Sequence, residues 1–150
     1  MNHSSRMSVC TRPFELDWEA VRGFHGHLGP WLTFGMRAGL LGMERTGARR
    51  FFGVRVEVEC PDRPPVSCLL DGLQLTTGAT YGKRNLVAAT SESVRVRVTN
   101  TETGDALDLR PRAGLAEEFR ARMEAESDEP VSRWVWGLPA GELFVEESAR

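Results

Sequence analysis

Two of the three histidines stand one residue apart in the segment His25-Gly26-His27-Leu28-Gly29-Pro30. Alternate residues of an extended chain point to opposite sides, but Gly26 and Gly29 give this loop the freedom to curl until both imidazoles face one point. Two converging imidazoles suit a divalent metal or a proton-transfer site. A second group follows in Ser67-Cys68-Leu69-Leu70-Asp71-Gly72-Leu73-Gln74. On a helix, Asp71 and Gln74 share a face with Cys68 one turn earlier, so that thiol, carboxylate and amide can line one polar pocket. The next stretch, Thr76 to Asn85, concentrates glycine, threonine and Lys83. Its amides, hydroxyls and ammonium are the donors that an anionic or carbonyl group needs. It is not a nucleotide phosphate loop, because the GxxxxGK[ST] spacing is absent and Arg84 follows Lys83.

Each of these residues also has a plainer reading. His25 and His27 can cap the following helix or bond to backbone, and Cys68 can be a small buried hydrophobe. Asp71 can form a salt bridge on the side of its helix, and Lys83 can be a solvated turn residue. The residues alone leave both readings open.

The elements that must position these groups follow from patterning. Asp17 is placed to cap a short helix through Trp18, Ala20 and Val21 that ends near Gly23. Pro30 suits the first turn of a second helix reaching about Gly47, with Trp31, Phe34, Met36, Leu40, Leu41 and Met43 apolar. Gly35, Gly39 and Gly42 inside it each cost roughly 1 kcal/mol relative to alanine, which implies that another backbone approaches closely, from this chain or from a second copy of it. Val54, Val56 and Val58 alternate with Arg55, Glu57 and Glu59 as in a half-covered strand, ended by Pro61, Pro64 and Pro65. Cys68 to Thr77 reads as a helix running into Gly78. Leu86 to Thr90 and Val94 to Thr99 read as strands, and Thr103-Gly104-Asp105 turns the latter into a return strand through Leu107 and Leu109. Leu115, Phe119 and Met123 recur every four residues within a helix from Pro111 to about Glu126. Beyond it lie Trp134, Trp136, a short helix after Pro139, and the apolar run Leu143 to Val145.

At 150 residues the chain has the length of one domain. Residues 1–12 read as a flexible tail and residues 13–150 as a single α+β domain with a mainly antiparallel sheet against helices. Hydrophobic residues at 41% and charged residues at 27% match an ordinary soluble protein, and no apolar run spans a membrane. A net charge of −2 gives no field for nucleic acid, although Arg49, Arg50 and Arg55 form one basic stretch. The N-terminal stretch lacks a signal-peptide apolar core, which points to the cytoplasm. Cys10, Cys60 and Cys68 form no CxxC pair, so neither a disulfide framework nor a zinc finger is indicated.

HGHLGP with its glycine-containing helix, followed by CLLDGLQLTTGATYGKRNL, resembles the core domain of the formylmethanofuran dehydrogenase FmdE family, over roughly residues 20 to 110 with an echo in Leu138 to Glu146. The resemblance implies a compact α+β core, often an intertwined homodimer, in which the histidine loop and the cysteine-aspartate helix meet. It implies a site of His25, His27 and Cys68 as metal ligands for zinc or another divalent transition metal. Asp71 and Cys68 would be catalytic groups, and Gln74, Thr80, Gly82, Lys83 and Asn85 would bind a small-molecule ligand. It also implies a place beside a larger oxidoreductase in one-carbon or metal-dependent redox metabolism. Members of the family often carry cysteine where this chain has Gly29 and Ala79. Two imidazoles and one thiolate leave a shell to be completed by water, Asp71 or substrate. The alternative implied by those two replacements is a ligand-binding or subunit-packing module without metal.

Overall fold

The computed structural model describes residues 8–149, and the expected tail over 1–12 lies mostly outside them. The described chain runs α1 (Trp18–His25), α2 (Pro30–Thr46), β1 (Val54–Cys60), a 3₁₀ turn (Val66–Cys68), α3 (Leu69–Thr77), β2 (Leu86–Thr90), β3 (Arg95–Asn100), β4 (Ala106–Pro111), α4 (Leu115–Ala125), α5 (Asp128–Gly137), α6 (Ala140–Leu143) and β5 (Phe144–Ala149). One sheet is ordered β2-β1-β3-β4-β5. Only β1 and β2 pair in parallel, with Val56 opposite Leu86; the other neighbours are antiparallel. The expected α+β fold with a mainly antiparallel sheet is therefore present.

Alternation decides the sheet's two faces. Val54, Val56, Val58 and Cys60 of β1, with Val96 and Val98 of β3, are buried against the helices. Arg55, Glu57 and Glu59 point the other way, where ion pairs dominate: Arg95 reaches Glu59 at 2.9 Å, and Arg97 holds Asp108 through bonds of 2.7 and 2.9 Å.

Helix α2 lies across the covered face and is buried nearly all round. Its glycines explain how. A Cβ on Gly35 would stand 2.1 Å from the Leu69 carbonyl oxygen, and one on Gly39 2.3 Å from Thr76 Oγ1. Gly72 of α3 returns the contact, its Cβ position lying 2.1 Å from the Leu32 oxygen. The close backbone expected beside these glycines is thus α3 of the same chain at Gly35, whereas Gly39 meets α3 side chains and Gly42 meets the Val98 side chain of β3, 2.4 Å from its Cβ position. Gly35 faces Leu69 and Gly39 faces Thr76, so α2 and α3 run side by side in the same direction and begin at the same end of the molecule.

Three elements differ from the sequence reading, the first being the helix expected from Pro111, which starts at Leu115 because Pro111 is the last residue of β4. Helix α1 passes through Gly23 and ends at His25, with Gly26 as its left-handed cap at φ 96°. Gly23 has open space around it, so it costs propensity but no packing. His25 is therefore the last helical residue and not part of a loop. Helix α5, carrying Trp134 and Trp136, has no counterpart among the expected elements.

Candidate functional site

The ends of α1 and the starts of α2 and α3 meet at one corner. Asp17 fixes the entry to α1 by accepting from the amides of Glu19 and Ala20 at 3.0 and 3.3 Å. Gly26 turns the chain, and His27 follows on the surface. Gly29 caps α2 in an extended conformation (φ −178°, ψ 164°) that any residue adopts, so only Gly26 uses glycine's freedom here. Cys68 closes the 3₁₀ turn and stands at the head of α3.

His25, His27 and Cys68 each bring one donor atom to this corner, all within 4.8 Å of one another. The two imidazole rings meet edge to face with centroids 4.6 Å apart. Their tautomers follow from their partners. His25 Nδ1 lies 2.6 Å from Asp71 Oδ2, and a carboxylate accepts, so Nδ1 carries the proton. His27 Nδ1 lies 2.9 Å from the Leu28 carbonyl, which can only accept. In its neutral form each ring therefore keeps Nε2 as a lone pair. His25 Nε2 is buried with no hydrogen-bond partner, on a side chain only 10% exposed. A buried acceptor without a donor costs about 1–3 kcal/mol, and a cation supplies what it lacks.

Asp71 is itself held. Gln74 Nε2 donates to Asp71 Oδ1 at 3.3 Å, while Gln74 Oε1 accepts from the Tyr81 amide at 3.0 Å. The thiol of Cys68 is pushed up, first by burial and then by the charge of Asp71, so it is a neutral ligand until a cation displaces its proton. Donors bonded to one ion at about 2.0–2.3 Å sit roughly 3.5 Å apart. The set must contract by about 1 Å to close on a metal, and exposed His27 has room to move.

The structure thus brings together His25, His27, Cys68, Asp71 and Gln74. The remaining predicted residues form a separate, internally bonded loop. The Thr80 amide donates to Asn85 Oδ1 at 2.9 Å, and Asn85 Nδ2 donates to the carbonyls of Phe51 and Val54 at 2.7 and 3.2 Å. Lys83 Nζ donates to the Gly78 carbonyl at the end of α3 and to Thr80 Oγ1 at 3.2 Å. Its ammonium thus caps a helix, and burial lowers its pKa. Gly82 turns this loop in the open.

Beside the corner opens a cavity of about 710 Å³, with His27 and Cys68 among its lining residues. Trp31 and Phe119, edge to face at 5.1 Å, form one side, and Pro61, Pro65 and Val66 another. Sequence reasoning missed this space. It used Phe119 only as a packing residue and the prolines only as strand breakers, and nothing local ties α4 to the histidines.

Comparison with known proteins follows the same lines. The model of the family described as "FmdE, Molybdenum formylmethanofuran dehydrogenase operon" matches residues 24–143. A protein of Archaeoglobus fulgidus named "Probable S-adenosyl-L-methionine-binding protein" is 34% identical over 73 residues, which is 45% of this chain and 19% of that protein. The match therefore spans about a fifth of that relative's length. The crystal structure of a tungsten formylmethanofuran dehydrogenase FmdE-like protein from Syntrophus aciditrophicus aligns with a TM-score of 0.60 and 19% identity, covering 88% of this chain and 69% of that one. At that identity the likeness is one of fold.

Proposed function

The chain belongs to the FmdE family, and from that premise we propose that it binds one divalent transition metal, zinc foremost, through His25, His27 and Cys68, and a small molecule in the adjoining cavity. The observation that carries this reading is the pair of Nε2 lone pairs beside a thiol, one of them buried and otherwise unsatisfied. Asp71 sets the His25 tautomer and ring orientation, the usual work of a carboxylate behind a ligand histidine. Three protein ligands leave a fourth position open, the arrangement of catalytic rather than structural sites. A metal held there would act as a Lewis acid on an oxygen of the bound molecule. Asp71, half-exposed and fixed by Gln74, is the base available at the corner. In this reading the Thr80–Asn85 loop supports the site by holding the end of α3 and the Tyr81 amide that orients Gln74.

The purified protein is expected to carry about one divalent ion per chain by elemental analysis. The double variant His27→Ala, Cys68→Ala is expected to carry none; wild-type metal content in it refutes the reading. Cobalt substitution adds a check, since a thiolate ligand gives an intense near-ultraviolet charge-transfer band that Cys68→Ser abolishes.

A second reading, a ligand-binding or packing module without metal, is favoured by the exposure of His27 and by Gly29 and Ala79 standing where relatives often have cysteine. The name of the Archaeoglobus relative offers S-adenosyl-L-methionine as one ligand to try. A thermal shift with that compound that survives strong chelation supports this reading over the first. Under either one we place the protein in the cytoplasm, as a homodimer serving a larger oxidoreductase of one-carbon metabolism. No described helix is long and apolar enough to cross a membrane.

A further inference from the structure

Two motifs of the sequence take no part in the donor cluster, the basic stretch Arg49–Arg55 and the loop Thr80–Asn85, and the fold sets them against each other through the bonds from Asn85 to Phe51 and Val54. Together they close the C-terminal end of α3, away from the corner where that helix begins. Arg50 donates to the Leu75 and Thr76 carbonyls at 2.8 and 3.1 Å, and Lys83 to that of Gly78, so both cations serve the helix end. The surface outside them is aromatic and basic. Phe52 is 55% exposed and Tyr81 66% exposed. Lys83 Nζ stands 5.5 Å from the centre of the Phe52 ring, and the Arg84 guanidinium 4.4 Å from that of Tyr81. Arg55 donates to the Arg84 carbonyl at 3.4 Å and has Glu57 at 3.6 Å, whereas Arg84 has no carboxylate partner among the described residues.

The backbone adds a second observation. Phe51 and Arg84 lie in the left-handed region, at φ 76° and 64°, and no other non-glycine residue among those described does so. The fold clamps Phe51, whose amide donates to the Thr77 carbonyl at 2.8 Å and whose carbonyl accepts from Asn85. Arg84 closes a turn by donating its amide to the Tyr81 carbonyl at 3.2 Å, a place that glycine fills without strain. Arginine contributes nothing to that turn that glycine would not. What it adds is a guanidinium beside an exposed ring.

We infer that this surface docks a short acidic segment of a partner protein, its carboxylates on Arg84 and Arg55 and an apolar side chain of the segment against Tyr81 and Phe52. Exposed rings with cations beside them supply the apolar contact and the complementary charge that such a segment needs. The chain as a whole carries a net charge of −2, which opposes a long polyanion and leaves a short one, whose charges lie within a Debye length of about 8 Å, to be held by the local cations. The surface lies apart from the metal corner and does not depend on it.

The test is fluorescence anisotropy at low ionic strength with the labelled peptide EEFEELEE, its counterpart QQFQQLQQ and a short oligothymidine. The glutamate peptide is expected to bind about tenfold more tightly than the glutamine peptide, with an affinity that falls as salt is added. Arg84→Gly is expected to weaken it about tenfold while leaving Tm equal to or above that of wild type, because the backbone strain goes with the guanidinium. Tyr81→Ser, at an exposed ring, is expected to weaken it as well without loss of fold. Zinc content measured on the same samples is expected to be the same in all of them, so failure here leaves the metal reading untouched. Equal affinity for the two peptides, wild-type binding by Arg84→Gly, or a Tm lowered by that substitution overturns the inference. Tighter binding of oligothymidine than of the acidic peptide overturns it too, in favour of a nucleic-acid surface.

Discussion

The contact between α2 and α3 sets the geometry of the corner, and Gly72→Ala is the sharpest way to disturb it. A methyl at that position would lie 2.1 Å from the Leu32 carbonyl oxygen and 2.7 Å from the Met36 nitrogen, both backbone atoms that no rotamer change can move. A carbon and a carbonyl oxygen need more than about 3 Å, so the helices must part by about 1 Å along their shared length. Alanine gains roughly 1 kcal/mol of helix propensity over glycine. Overpacking of a rigid interior costs about 1–3 kcal/mol and occasionally more, and parting two buried helices loses dispersion contacts along both. The net is a destabilisation of about 1–3 kcal/mol, which for a domain of this size lowers Tm by roughly 3–10 °C. Gly23→Ala is the internal control: the same chemical change in α1, where nothing lies within 4 Å, should stabilise by about 0.5–1 kcal/mol. Thermal and urea unfolding of the two variants beside wild type decide the matter. Equal effects from the two substitutions would refute the close-packing argument, because propensity alone treats them alike.

Three further outcomes are expected. Gly29→Cys should tighten zinc binding at least tenfold in a chelator competition, because the backbone there is extended and an added Cβ points to open space 3.9 Å from the His27 ring; unchanged affinity would show that position 29 does not face the metal. Asp71→Ala should weaken metal affinity by about 10- to 100-fold while moving Tm little, since the half-exposed carboxylate orients His25 rather than holding the core; metal binding at wild-type strength would remove its positioning role. The Asp108 carboxyl is held below its usual range, first by the hydrogen bonds from Arg97, so its stabilisation is complete above about pH 4, where it ionises in the unfolded chain, and is lost as pH falls through its lower folded value. Asp108→Asn should thus cost about 1–3 kcal/mol near neutrality and progressively less below about pH 4 in acid unfolding series; a difference that does not shrink with acid would contradict the assignment.

Where local patterning and tertiary packing agreed, the sequence was a reliable guide. The valine alternation of β1 and β3 marks the buried face because one side of the sheet is covered and the other is wet. Gly78 ends α3 in the left-handed conformation expected of a cap, at φ 70°. The meeting of His25, His27, Cys68 and Asp71 could be anticipated from their chemistry together with a family resemblance, not from spacing. Helix α5 was hidden because Pro130 falls within its first turn, where proline is tolerated, while Trp134 and Trp136 repeat at the spacing of a strand. Its apolar face is set instead by Val131 and Val135, four residues apart and fully buried. The three glycines of α2 announced close neighbours but could not say which: Gly35 and Gly39 admit α3 and Gly42 admits Val98 of β3, and a second chain would make the same demand on a side chain.

The composition of α2 follows from its place between two cores. Trp31, Phe34, Ala38 and Leu41 join the large cluster over the sheet, whereas Leu32 and Met36 join a smaller one with Val21 and Leu28 that anchors α1. A helix that serves two cores cannot keep a polar face along most of its length, and its remaining side must admit α3, which is why Gly35 and Gly39 appear there. Cys68 packs against both clusters, so the thiol sits on the seam between them. His25 reaches the same seam from the end of α1, the element that the smaller cluster holds. The relative position of imidazole and thiol is therefore set by how two cores pack around one helix. Substitutions that shift either core, such as Met36→Ala at a cost of about 2–5 kcal/mol, should loosen the donor cluster although they touch none of its members.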